Sequence, residues 1–242
     1  MTDRESGSDA GAPGAREAAA EGPNDGPAAD SSGDGDDSPT VPAALRAGAA
    51  LFNEGHVLAA HDPWEAAWLP LAAGDDERLL HGLIAAAAAT HHAGGRNWSG
   101  AVGCASNAEE YLAGVPPTLR GVDVGPVRDW CRRLASDPET VERSAPPTLR
   151  IEGAAPRFGD LDLSATLLAA PALADAIAPG DEETFETAAS LARGERGTGR
   201  TRFAELLFAF LRSPDARPQV AARLADHVEL AERKRRDVDD LF

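Results

Sequence analysis

From Val41 onward, apolar side chains recur at intervals of three and four residues, the period of an amphipathic helix. AALRAGAALFNEG (43–55) reads as a first helix stopped by Gly55, and the stretch 56–71 follows it. DERLLHGLIAAAAATHHAGG (76–95) is a helix ended by two glycines, with an alanine-rich middle that lets another backbone approach closely. NWSGAVGCASNAEEYLAG (97–114) opens on an Asn N-cap and lines up Trp98, Ala101, Ala105, Ala108 and Leu112 on one stripe.

The prolines and glycines of GVPPTLRGVDVG (114–125) predict a loop. GPVRDWCRRLAS (125–136) then places Val127, Trp130, Cys131 and Leu134 at helical spacing. Only LRIEGAAPRF (149–158) suggests a hairpin, two short β-prone arms around a Gly-Ala turn or a single extended segment. Helices are expected near 161–178, 181–193, 200–212 and 217–238, the last with Val220, Leu224, Val228 and Ala231 inward. The prediction is an all-α, compact domain of about eight helices. Short connections after Gly74 and Gly94 make neighbours antiparallel.

Residues 1–40 break this pattern. They contain no Val, Ile, Leu, Phe, Trp or Tyr, so they cannot bury enough apolar surface to offset ordering entropy, and a disordered tail is expected. The organisation read from the chain is a tail (1–40), a helical core (41–115) and a helical extension packed on it (116–242). The tail holds ten acids against two arginines, and the other 202 residues hold 30 acids against 21 bases. The net charge of −17 argues against general affinity for nucleic acid or anionic membranes. Lys234 is the only lysine beside 22 arginines, a composition that fits a halophilic, salt-filled cytoplasm; a GC-rich genome is the alternative source. Cys104 and Cys131 form no CxxC and read as reduced cytosolic thiols. No stretch is long and apolar enough for a membrane span, and the acidic start lacks a signal-peptide pattern. A soluble, cytoplasmic protein is expected.

Two apparent motifs have ordinary readings. GERGTGRT (194–201) has phosphate-loop spacing, but the preceding ETAASLAR is helical rather than a buried strand, and Arg200 replaces the compact lysine. ERKRR (232–236) is a basic helix end complementing the dipole and is followed by acids.

HDPWEAAW (61–68) carries the candidate chemistry. One reading makes Asp62 an N-cap with Pro63 at the first helical position and Glu65 closing a capping box. The other continues a kinked helix from Val57 to Trp68, which sets His61 beside Glu65 and Trp64 beside Trp68, one turn apart.

The order of these motifs resembles domain of unknown function family 309, a small all-helical family. Its Phe-Asn-x-Gly turn corresponds to Phe52, Asn53 and Gly55. Ala-His-acid-x-x-Glu-x-x-Trp corresponds to Ala60, His61, Asp62, Glu65 and Trp68. Gly82, Leu83, Ile84, His92, Asn97, Gly100 and Ala101 continue the pattern. Ala59 and Ala85 depart from it, standing where the family often has Glu and Gln. The resemblance implies a fold and a shared polar cluster, favours the continuous helix, and implies no activity.

On that geometry His61 and Glu65 face the stripe His81, Ala85, Ala88, His92 across an apolar interior. His61, Glu65 and His92 are then candidates for a divalent metal or for acid–base work, and Trp64, Trp68, His81, Asn97 and Trp98 for the walls of a small-ligand pocket. Three outcomes are open: metal, a small ligand, or a His–Glu cluster that only fixes helix packing in a structural or protein-interaction module. His56 and His91 are expected to be exposed, and His227 at the core edge.

Overall fold

In the computed structural model, residues 39–195 and 202–239 are described. The tail expected over 1–40 lies outside them up to residue 38, as do positions 196–201 of the GERGTGRT loop. Among the described residues the chain forms nine α-helices and one two-stranded hairpin. The helices are α1 (Val41–Asn53), α2 (His61–Trp68), α3 (Asp75–Gly94), α4 (Trp98–Ala113), α5 (Gly125–Ser136), α6 (Leu163–Ala176), α7 (Glu182–Gly194), α8 (Arg202–Arg212) and α9 (Arg217–Asp239). The strands are β1 (Thr118–Leu119) and β2 (Val122–Asp123), antiparallel, with Leu119 opposite Val122.

Small residues set the close approach of α3 to α4. Ala86, Ala89 and Ala93 on one helix and Ala101, Ala105 and Ala108 on the other are buried. Gly82 lies so near the Leu112 side chain that an added Cβ would stand 2.5 Å from it. Helix α5 docks on α3 through a buried relay. The Trp130 indole donates to the Thr90 hydroxyl at 2.9 Å, and that hydroxyl donates to the Ala86 carbonyl at 2.8 Å. Each buried polar group is thereby satisfied, which holds the crossing in one register.

Helix α6 is buried almost all round, as a central helix must be. Pro171 stands within it, so the Leu167 carbonyl receives no bond from that position. One apolar cluster of buried residues runs from α1 through α9. Asn53 ties α1 to the segment 149–156, donating to the carbonyls of Leu149 (3.0 Å) and Pro156 (3.1 Å) and accepting from the Leu149 amide (2.8 Å). Arg157 adds a bond to the Asn53 carbonyl at 3.0 Å.

The helices match the periodicity, including the inward Val220, Leu224 and Val228 of α9. The strand expectation is corrected. The hairpin falls at 118–123, within the stretch read as a loop, while 149–158 contributes only isolated bridges, Ile151 to Ala154 and to Val122. Its turn is Glu152-Gly153, not Gly-Ala, and both residues have positive φ. The hairpin turn Arg120-Gly121 has the same positive pair, as a type I′ turn requires. Arginine gives no turn signal. It is held there by Asp76, which accepts from its Nε at 2.9 Å and its Nη2 at 2.6 Å.

Candidate functional site

The backbone reaches α2 through hydrogen-bonded turns over 57–60, with His61 N–H donating to the Leu58 carbonyl at 2.9 Å. Pro63 therefore sits in the first helical turn, where its missing N–H has no intrahelical partner to lose. The capping-box reading is corrected: the N-cap position is Ala60, with no side-chain cap, and Glu65 turns to His61 instead. The His61 Nδ1 to Glu65 Oε2 separation is 3.5 Å, one helical turn apart, as the kinked-helix reading expects, although the helix begins at His61 and does not run continuously from Val57.

That pair is not interior. The side chains of His61 and Glu65 are 29% and 46% exposed. Behind them Trp64 is buried, its indole filling the space that Gly48 on α1 leaves, where a Cβ would overlap it. The Trp64 indole N–H has no hydrogen-bond partner among the described residues.

Beside His61, at 4.0 Å, stands the Asp62 carboxylate. Its pKa is pushed up to about 6, first by partial burial and then by the carboxylates of Asp175, Glu182 and Glu65, with His61 pulling the other way. Asp62 faces a cleft of about 400 Å³ between α2, α6 and α7, with Pro63, Leu167, Pro171 and Ala172 as apolar lining. Glu182, Glu186, Ser190 and Arg193 of α7 line it as well.

A second cluster joins α2, α3 and α4. The Trp68 indole donates to Glu77 Oε1 at 3.1 Å, and His81 Nδ1 stands 3.5 Å from the same oxygen. The His81 ring lies between Trp68, at 4.5 Å between centroids, and Tyr111, stacked at 3.8 Å. Trp68, Glu77 and His81 thus engage one another across the junction of α2 and α3, with the Tyr111 ring of α4 against His81. Sequence reasoning does not single out Glu77 or Tyr111, although Glu77 stands four residues before His81, the same spacing that marks His61 and Glu65.

His92 belongs to a third place. Its Nδ1 is 3.3 Å from Asn97 Nδ2, and Asn97 Oδ1 accepts from the Gly100 amide at 3.1 Å as the N-cap of α4. A Cβ on Gly100 would stand 2.6 Å from Asn97 Nδ2 and 3.0 Å from His92 Cδ2, so a larger residue there would push the Asn97 amide aside. Trp98, next in line, is partly buried against the apolar core. The stripe His81, Ala85, Ala88, His92 runs along a partly exposed edge of α3 rather than through the interior.

The structure thus brings together His61 with Glu65, Trp68 with His81, and His92 with Asn97, as three separate clusters. His92 shares no hydrogen bond, ion pair or ring contact with His61 or Glu65, and no group of three or more His, Cys, Asp or Glu positioned for a metal occurs among the described residues. His91 is exposed and His227 partly buried, as expected. His56 is not exposed. It is partly buried and stacks on Phe158 at 6.1 Å, and burial followed by the Arg217 charge lowers its pKa.

Fold and clusters together define a predominantly helical domain in which several of the motif residues lie at helix junctions. Residues 45–104, from within α1 to within α4, match the model of a protein family described as Domain of unknown function (DUF309). The motif order read from the sequence falls inside that segment. No curated protein matches the chain.

Proposed function

We propose that this protein is a non-catalytic helical module that acts by binding, and that the polar residues of its family-like pattern serve its architecture. One observation carries this reading. Asn53 spends its side-chain amide on three bonds to the segment 149–156, and Asn97 spends its own on the α3–α4 junction. Trp68 and His81 are engaged with Glu77 in the same way. The remaining pair, His61 and Glu65, has the spacing and exposure of an ordinary surface pair worth about 0.5 kcal/mol or less.

The protein is read as a cytosolic one without affinity for nucleic acid. The acidic surface supports this, as do the two free thiols, of which Cys131 is buried with its pKa pushed up to about 12. The scarcity of lysine supports a salt-filled cytoplasm.

Elemental analysis of protein purified without a histidine tag, beside thermal melts of His61→Ala and Glu65→Ala, tests the proposal. The expected result is no stoichiometric metal and melting points close to the parent. A divalent metal that co-purifies and disappears in either variant would refute it.

A further inference from the structure

The cleft between α2, α6 and α7 is the feature that the architectural reading leaves unexplained. Its charges are segregated. Asp62 and Glu182 interact electrostatically where the two helices begin, with Glu186 one turn further along α7. Arg193 lies seven residues beyond Glu186, about 10 Å along the helix, with Ser190 between them.

The side chains of Glu182, Glu186, Ser190 and Arg193 make no hydrogen bond or ion pair among the described residues. Carboxylates at one end of an apolar cleft and a guanidinium at the other thus keep their charge open to a guest. Leu167, Pro171 and Ala172 supply the apolar surface between the two ends. A volume of about 400 Å³ admits a molecule of roughly amino-acid to dipeptide size.

We propose that this cleft binds a small zwitterion of the ω-amino acid class. Its ammonium group lies among Asp62, Glu182 and Glu186, its methylene chain lies along Pro171 and Ala172, and its carboxylate meets Arg193 and Ser190. A cation alone would relieve the carboxylate repulsion but leave Arg193 unused. An anion alone would meet three like charges.

The probes are 6-aminohexanoate, hexylamine and hexanoate, titrated into the full chain and its variants while backbone amide NMR shifts are followed. The expected result is that 6-aminohexanoate shifts amides collected on α2, α6 and α7, with hexylamine weaker by about tenfold and hexanoate weaker still. Asp62→Asn combined with Glu182→Gln should abolish the response. Arg193→Gln, at the opposite end, should leave 6-aminohexanoate no better than hexylamine, and retained shift dispersion shows that each variant is folded. Shifts scattered over the acidic surface, an equal response to hexylamine in the parent chain, or no response to the zwitterion would each overturn the assignment.

Discussion

Replacing Gly82 with alanine separates packing from propensity. The new Cβ would stand 2.5 Å from both Cγ and Cδ2 of Leu112, a side chain with no exposed surface in which to retreat. Carbon atoms pack at about 3.5–4 Å, so α3 and α4 must part or Leu112 must leave its rotamer. Overpacking of this kind costs about 1–3 kcal/mol, whereas alanine in a helix interior returns about 1 kcal/mol over glycine. The net expectation is a loss of up to about 2 kcal/mol. Gly103 is the control: it is exposed on α4, with nothing within 4 Å of an added Cβ, so Gly103→Ala should gain up to about 1 kcal/mol. Urea titrations followed by far-ultraviolet circular dichroism give both values at unchanged slope. Adding Leu112→Ala to Gly82→Ala should cost less than Leu112→Ala costs the parent, because the alanine methyl then fills part of the cavity. If Gly82→Ala raises the midpoint as Gly103→Ala does, α3 and α4 do not pack as closely as the Gly82–Leu112 contact requires.

Asp62→Asn should stabilise the protein at neutral pH. The folded-state pKa of about 6 lies above the ordinary 3.8, so the parent loses stability as pH rises through that window and stays lower beyond it. The full shift would correspond to about 3 kcal/mol for a shielded group, but half of this side chain is exposed and screening reduces the expected gain to about 1 kcal/mol. Melts at pH 4 to 8 should show the variant's advantage appear between about pH 4 and pH 6; a constant difference across the range would contradict the origin given for it. Asn53→Ala removes three hydrogen bonds to the segment 149–156 and should cost about 2–3 kcal/mol, with faster proteolytic cleavage near Gly153. An unchanged melting point and cleavage rate would show that this segment is held by its apolar contacts alone. Potassium chloride should raise the melting temperature by screening a net charge of −17, and a fall on adding salt would count against the acidic surface as a source of self-repulsion.

What the sequence makes legible depends on how far away a residue's partner lies. The stripes of α4, α5 and α9 are readable because the periodicity that buries Ala105, Trp130 and Leu224 is contained in the element itself. His61 with Glu65, and Asn97 as the cap of α4, are readable for the same reason: each partner is three or four residues away. The hairpin is not, because Arg120 tolerates a positive φ while bound to Asp76, 44 residues earlier, and no turn rule contains that contact. Nor is the cleft, since Asp62 meets Glu182 only after 120 residues of intervening fold.

His92 shows how local spacing can mislead. Its stripe with His81 is real, but helix periodicity fixes which residues share a face and leaves open whether that face is core or edge. In this fold α3 offers its alanines to α4 and its histidines to the rim, so His81 and His92 end on separate junctions. A polar residue matched to a family pattern is therefore evidence for a junction whenever its hydrogen bonds are filled by its own chain. Charge left without such partners is what the proposed cleft beside Asp62 rests on, and His92 offers none.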